Sequence, residues 1–111
     1  MDYDTERLLL VRAQLSDQLD VLSVTSFDSN PLQFLTRLDA IRYTAAQNRF
    51  EAVAEIAAHF EEAMQRVTQR GGCDTVVREF TEIMDEAIGC RELGAHVAQT
   101  LLASVSMRLR N

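Results

Sequence analysis

The chain has 111 residues, 47% of them apolar and 6% aromatic, which suits one domain around one core and excludes a disordered segment. Its net charge of -6 opposes a general affinity for nucleic-acid backbones or anionic membrane surfaces. All eleven basic residues are arginine, so no lysine is present to act as a Schiff-base nucleophile or a general base.

The first predicted helix runs from about Thr5 to Val24, with Leu8, Val11, Leu15, Leu19 and Leu22 on one face. A loop from Thr25 leads to Asn30 and the single proline, Pro31, which together read as an N-cap followed by proline at the first helical position. The second helix then turns Phe34, Leu35, Leu38, Ile41 and Ala45 inward. Asn48 with Glu51 three residues on has the form of a capping box opening a third helix. Phe50, Val53, Ala57, Phe60, Met64 and Val67 line one face of that helix, and Gly71 and Gly72 supply its stop. Asp74 caps a fourth helix with Val76, Val77, Phe80, Ile83, Met84 and Ala87 inward and Gly89 just past its end. The fifth, from about Arg91 to Leu109, uses Leu93, Val97, Leu101, Leu102, Val105 and Leu109.

No segment alternates with a period of two, so strands are not expected. Short connections between amphipathic helices predict an all-α, single-domain antiparallel bundle of four or five helices over residues 1–111. Cys73 and Cys90 flank a helix whose ends stand about 20 Å apart, whereas a disulfide needs Cα atoms within about 7 Å. An internal disulfide is therefore not expected, and no zinc-like spacing is present. No signal-peptide pattern and no membrane-spanning apolar run is seen, so the expected location is cytoplasmic.

Charge is uneven: residues 1–30 carry six acids and two arginines, while residues 31–70 carry five of each. The first helix also has a second apolar line, Leu10, Ala13, Val21 and Val24, widened by Leu9 and interrupted by Asp17. A surface helix usually carries one stripe, so this line is either sandwiched within the bundle, left exposed, or covered by a protein partner or a second copy. Leu10, Val21 and Val24 are accordingly the candidate binding residues. Two Glu-xxx-His pairs, Glu55 with His59 and Glu92 with His96, form the candidate metal constellation, since residues four apart share a helix face. Two exposed, mildly stabilising ion pairs explain the same spacing. No phosphate-binding glycine loop, nucleophile elbow or zinc-protease motif occurs, so neither catalysis nor a cofactor is expected.

His59 follows Ala57 and Ala58 in mid-helix, with a glycine turn about a dozen residues later. In a bundle of this size that arrangement resembles a histidine-phosphotransfer domain, and the resemblance implies His59 as phospho-acceptor from a receiver aspartate. That family's pattern continues with leucine, lysine and glycine two, three and four residues on, where this chain has Glu61, Glu62 and Ala63. Together with Glu55, these acids surround the position with negative charge and oppose phosphoryl transfer. A second set of residues, Glu6-Arg7-Leu8, Asp20-Val21, Pro31-Leu32, Arg37-Leu38-Asp39-Ala40-Ile41 and Phe50, is similar to the helical anticodon-binding region of the bacterial glycyl-tRNA synthetase beta subunit. That family has a Lys-Arg pair where Ala58 and His59 stand, and an acidic surface lacking it is poorly suited to tRNA. The reading from sequence is a non-catalytic protein-interaction or regulatory module working through its first helix. The alternative is a divergent phosphotransfer domain using His59.

Overall fold

Asn30 and Pro31 set the first tertiary turn as their chemistry requires. The Asn30 side chain accepts from the Gln33 amide at 3.1 Å, and Pro31 begins the helix where a missing N–H costs nothing. A computed structural model describes residues 2–70, 73–90 and 94–110. It contains five helices: α1 (Asp2–Ser23), α2 (Pro31–Gln47), α3 (Glu51–Arg70), α4 (Cys73–Gly89) and α5 (Ala95–Arg110). No strand occurs among the described residues. The expected all-α antiparallel bundle is the observed architecture.

Four helices close a ring. α1 packs on α2, α2 on α3, α3 on α4, and α4 back on α1, while α5 lies outside this ring against α3 and α4. Contacts fix the antiparallel sense of α1 against both neighbours. Gln18 donates to Thr44 at 3.1 Å and Arg37 bonds Thr25, so α1 and α2 run in opposite directions. At one end of α4, Cys73 meets Asp28 just beyond the end of α1, while at the other Arg12 meets Ile88 and Cys90.

The core follows the predicted stripes closely on α1 to α4. Val11, Leu15, Leu19 and Leu22 are buried on α1, and Phe34, Leu38, Ile41 and Ala45 on α2. Phe50, Val53, Ala57, Phe60 and Met64 are buried along α3. Phenylalanines thread the layers together: Phe27 meets Phe34 edge-on at 5.4 Å, Phe34 meets Phe60 at 5.8 Å, and Phe60 stacks on Phe80 at 4.9 Å. Among the described side chains of α5, Ala98 and Val105 are fully buried. Val97, Leu101 and Leu102 pack partly against the core, but Leu109 is exposed instead of inward.

Helix boundaries differ from the sequence expectation where one residue can play two roles. Asn48 does not open α3; it closes α2. Its amide hydrogen bonds reach Ala45 and Ala46, and its side chain donates to the Thr44 carbonyl at 2.8 Å. Arg49 takes φ 62°, and the Phe50 amide returns to the Ala45 carbonyl at 2.9 Å, which completes a Schellman closure. The Phe50 carbonyl then receives the Ala54 amide at 3.0 Å, so Phe50 occupies the α3 N-cap and Glu51 the first helical position. The capping box expected from Asn48 and Glu51 is therefore absent.

Elsewhere the shifts are smaller. α1 begins at Asp2, earlier than expected, and Asp74 lies inside the first turn of α4, whose last residue is Gly89. α5 begins at Ala95. The glycine stop at 71–72 and the expected start of the fifth helix at 91–93 fall outside the described residues.

Candidate functional site

Helical geometry places Glu6, Leu10, Ala13, Asp17, Asp20 and Val21 within one outer sector of α1, opposite the Leu15–Leu22 stripe, while Val24, expected to end the helix, lies in the turn just past Ser23. α2 reaches only its edge, where Arg37 and Ala40 stand beside Asp17 and Val21. Leu10 is 72% exposed, Val24 84% and Val21 45%, and Leu9 is exposed beside them. The second apolar line is thus open to solvent and not sandwiched inside the bundle. The two arginines of α1 leave it as well. Arg7 turns to Asn48 at 3.4 Å, and Arg12 donates to the carbonyls of Ile88 at 3.0 Å and Cys90 at 2.7 Å. What remains is an apolar strip bearing three carboxylates and no α1 arginine.

A dimple of about 220 Å³ lies beside this strip, between α1 and α2, bounded by Asp17, Gln18, Val21, Arg37 and Ala40. Its walls are almost wholly carbon, the polar residues contributing their stems. Under it, Gln18 donates to the Thr44 hydroxyl at 3.1 Å, while its own buried Oε1 has no partner. Leu32 and Tyr43 are further exposed apolar groups on α2. The sequence singled out Leu10, Val21 and Val24, but not the dimple, because Arg37 and Ala40 join it from a different helix.

His59 occupies a second place. Its side chain is 49% exposed on α3, and its Nε2 stands 3.9 Å from Glu55 Oε1, an ion-pair distance and too long for a hydrogen bond. Both line an open groove of about 710 Å³ between α3 and α5, with Glu62 and Arg66 at its edge and Phe80 and Leu102 among its apolar groups. Among the described residues, Glu55, His59 and His96 do not gather their ligand atoms, and Glu92 lies outside them. Nearby on α3, Glu61 faces Arg42 at 3.4 Å, and Arg42 also pairs with Asp39. Partial burial still pushes the Glu61 carboxyl above its ordinary value, outweighing the Arg42 charge.

Among the described residues, potential ligand atoms converge at Asp28, Cys73 and Asp74, within 4.8 Å of one another. The Cys73 thiol donates to Asp28 Oδ1 at 3.3 Å. Its partial burial, and then the Asp28 carboxylate, push the thiol pKa up, so the group is a protonated donor and not a thiolate nucleophile. Sequence spacing gave no signal for this cluster, since Asp28 is 45 residues from Cys73. Both cysteines are free thiols.

No helix among the described residues is long and apolar enough to cross a membrane. No family model matches the chain, no curated protein matches it, and no solved structure matches it.

Proposed function

We propose that this chain is a non-catalytic, cytoplasmic protein-interaction module that engages a protein partner or a second copy through the outer face of α1. The observation that carries the reading is the exposure of Leu10 and Val21 on α1, and of Val24 just past its end, when the opposite face of that helix already fills the core. A bundle needs one buried stripe per helix, and a second exposed apolar line, even one broken by Asp17, is a common mark of an interaction surface. Arginine substitution at Val21 places a charge beside Val24, towards the C-terminal end of that line, without touching the core. Capture of partners from the native host by wild type, Val21→Arg and His59→Gln, with sedimentation of each protein alone, tests the reading. A partner or dimer lost with Val21→Arg and kept with His59→Gln is the expected outcome; no difference between wild type and Val21→Arg sinks it.

A second reading is a divergent histidine-phosphotransfer domain using His59. Its support is the half-exposed imidazole at the edge of a groove that also holds Arg66, a cation able to meet phosphate. Glu55 and Glu62 in the same groove oppose it. Labelled phosphate retained by wild type and lost in His59→Gln would move the function to this histidine.

A further inference from the structure

We propose that the occupant of the outer α1 face is a basic amphipathic helix from another protein, anchored by one large apolar side chain in the dimple beside Val21. The proposal rests on the interaction reading above and adds the chemistry of the partner. Three observations meet at this face.

The first is shape. Leu10 to Val21 spans about 17 Å of helix, with Val24 in the turn just beyond, which matches an apolar stripe of roughly three turns on an incoming helix. The dimple of about 220 Å³ breaks that strip between α1 and α2 and has room for one leucine or phenylalanine side chain. Pocketed apolar anchors of this kind concentrate binding energy at the centre of an interface.

The second is charge. Glu6, Asp17 and Asp20 share the exposed sector, while Arg7 and Arg12 are drawn away to Asn48 and to the end of α4. Arg37 of α2 lines the dimple with Asp17 and bonds Thr25 just past the end of α1, so among the described residues it is the one cation on this edge of the face. The face therefore presents three carboxylates against one arginine around an apolar strip, and lysine or arginine flanking the partner's stripe complements that excess.

The third argues against self-pairing. The midpoint of the Leu10–Val24 line is Asp17. A second copy laid antiparallel about that midpoint sets Asp17 against Asp17, and a parallel copy does the same. Like charges opposed at an interface centre are costly, so symmetry disfavours a dimer here.

The test is a display selection on the full chain. The library holds helical peptides of about 18 residues, with a fixed leucine stripe and flanks varied among Glu, Gln, Lys and Arg. Selected peptides are then measured by fluorescence polarisation, with circular dichroism confirming that each variant is folded. We expect enrichment of Lys and Arg flanks, with affinity falling as salt rises. Asp17→Asn combined with Asp20→Asn should weaken binding by about threefold to tenfold. Val21→Arg, and independently Leu10→Ser, should weaken it by at least about tenfold. Enrichment of neutral or acidic flanks that still depends on Val21 overturns the partner chemistry and leaves the interaction face standing. A wild type that selects no helix but sediments as a dimer split by Val21→Arg makes the second copy the occupant and overturns the proposal. A monomer that selects no helix overturns the proposal and the interaction reading together.

Discussion

Arg49 holds a backbone conformation that a side chain resists. Its φ of 62° places Cβ against the following carbonyl, at a cost of about 1–2 kcal/mol, yet the turn needs that residue so that Phe50 can fold back onto the core. Glycine at this position removes the clash, while its greater freedom in the unfolded chain returns about 0.5–1 kcal/mol of the gain. Arg49→Gly is therefore expected to stabilise the protein by about 0.5–1 kcal/mol in urea unfolding; a loss of stability would mean that the exposed arginine makes a contact worth more than its strain. The same turn explains a limit on what residue types reveal. Asparagine serves equally as a helix N-cap and as a helix C-cap, and Glu51 stood where a capping box wants it. The arbiter is Phe50, whose burial demands a tight return to Ala45, and that demand belongs to the core and not to the local sequence. At Asn30 residue type and structure agree, because Pro31 brings a preset φ and no N–H to the first helical position, where neither costs a hydrogen bond.

At the scale of elements, α1 differs from α3 in having two apolar faces where α3 has one, and the two faces of α1 should separate cleanly in energy. Leu15 is fully buried and Leu10 is 72% exposed. Leu15→Ala is expected to cost about 2–5 kcal/mol, and Leu10→Ala less than about 0.5 kcal/mol, both read from denaturant midpoints. Equal costs would mean that the outer line is covered in solution, and a concentration-dependent midpoint would trace the cover to a second copy. Arg12 joins α1 to α4 by another route. Its guanidinium satisfies two carbonyls at the end of α4, while the cation sits 5.7 Å from the centre of the Phe50 ring. Arg12→Met keeps the aliphatic stem and removes the donors, and should cost about 2 kcal/mol; a variant as stable as wild type would assign the clamp to packing alone. Periodicity revealed which residues of each helix face inward, since that depends only on spacing along one element. It gave no sign of Arg12 at Cys90 or of the dimple beside Val21, because both are made where different elements meet, Arg12 and Cys90 being 78 residues apart in sequence.

For the molecule as a whole, the decisive feature is that α5 stands outside a ring that the other four helices close. Helix count and approximate length were legible from hydrophobic spacing. The seat of α5 on α3 and α4 was not, because five stripes of similar width can be arranged around one another in several ways. Its position implies unequal stability across the fold. α3 packs on α2, α4 and α5, and Phe50, Val53, Ile56, Ala57, Phe60 and Met64 along it are all buried. Among its described side chains, α5 contributes Ala98 and Val105 to the fully buried set, with Leu109 exposed near its end. An element with so small a buried share can open while the ring persists, so its amides should exchange with solvent hydrogen well before those of α3. Val105→Ala sharpens the test. The lost methyl groups should cost about 1–2 kcal/mol, and if α5 opens separately the loss should appear as faster exchange in α5 with little change in α3. If α3 and α5 instead exchange together and shift together, the five helices form one cooperative unit. Phe80 decides which is physically reasonable: it stacks on Phe60 within the ring and also borders the α3–α5 groove. Opening α5 wets one side of Phe80 and leaves the Phe60 stack in place, so the cost of opening stays well below that of dismantling the core.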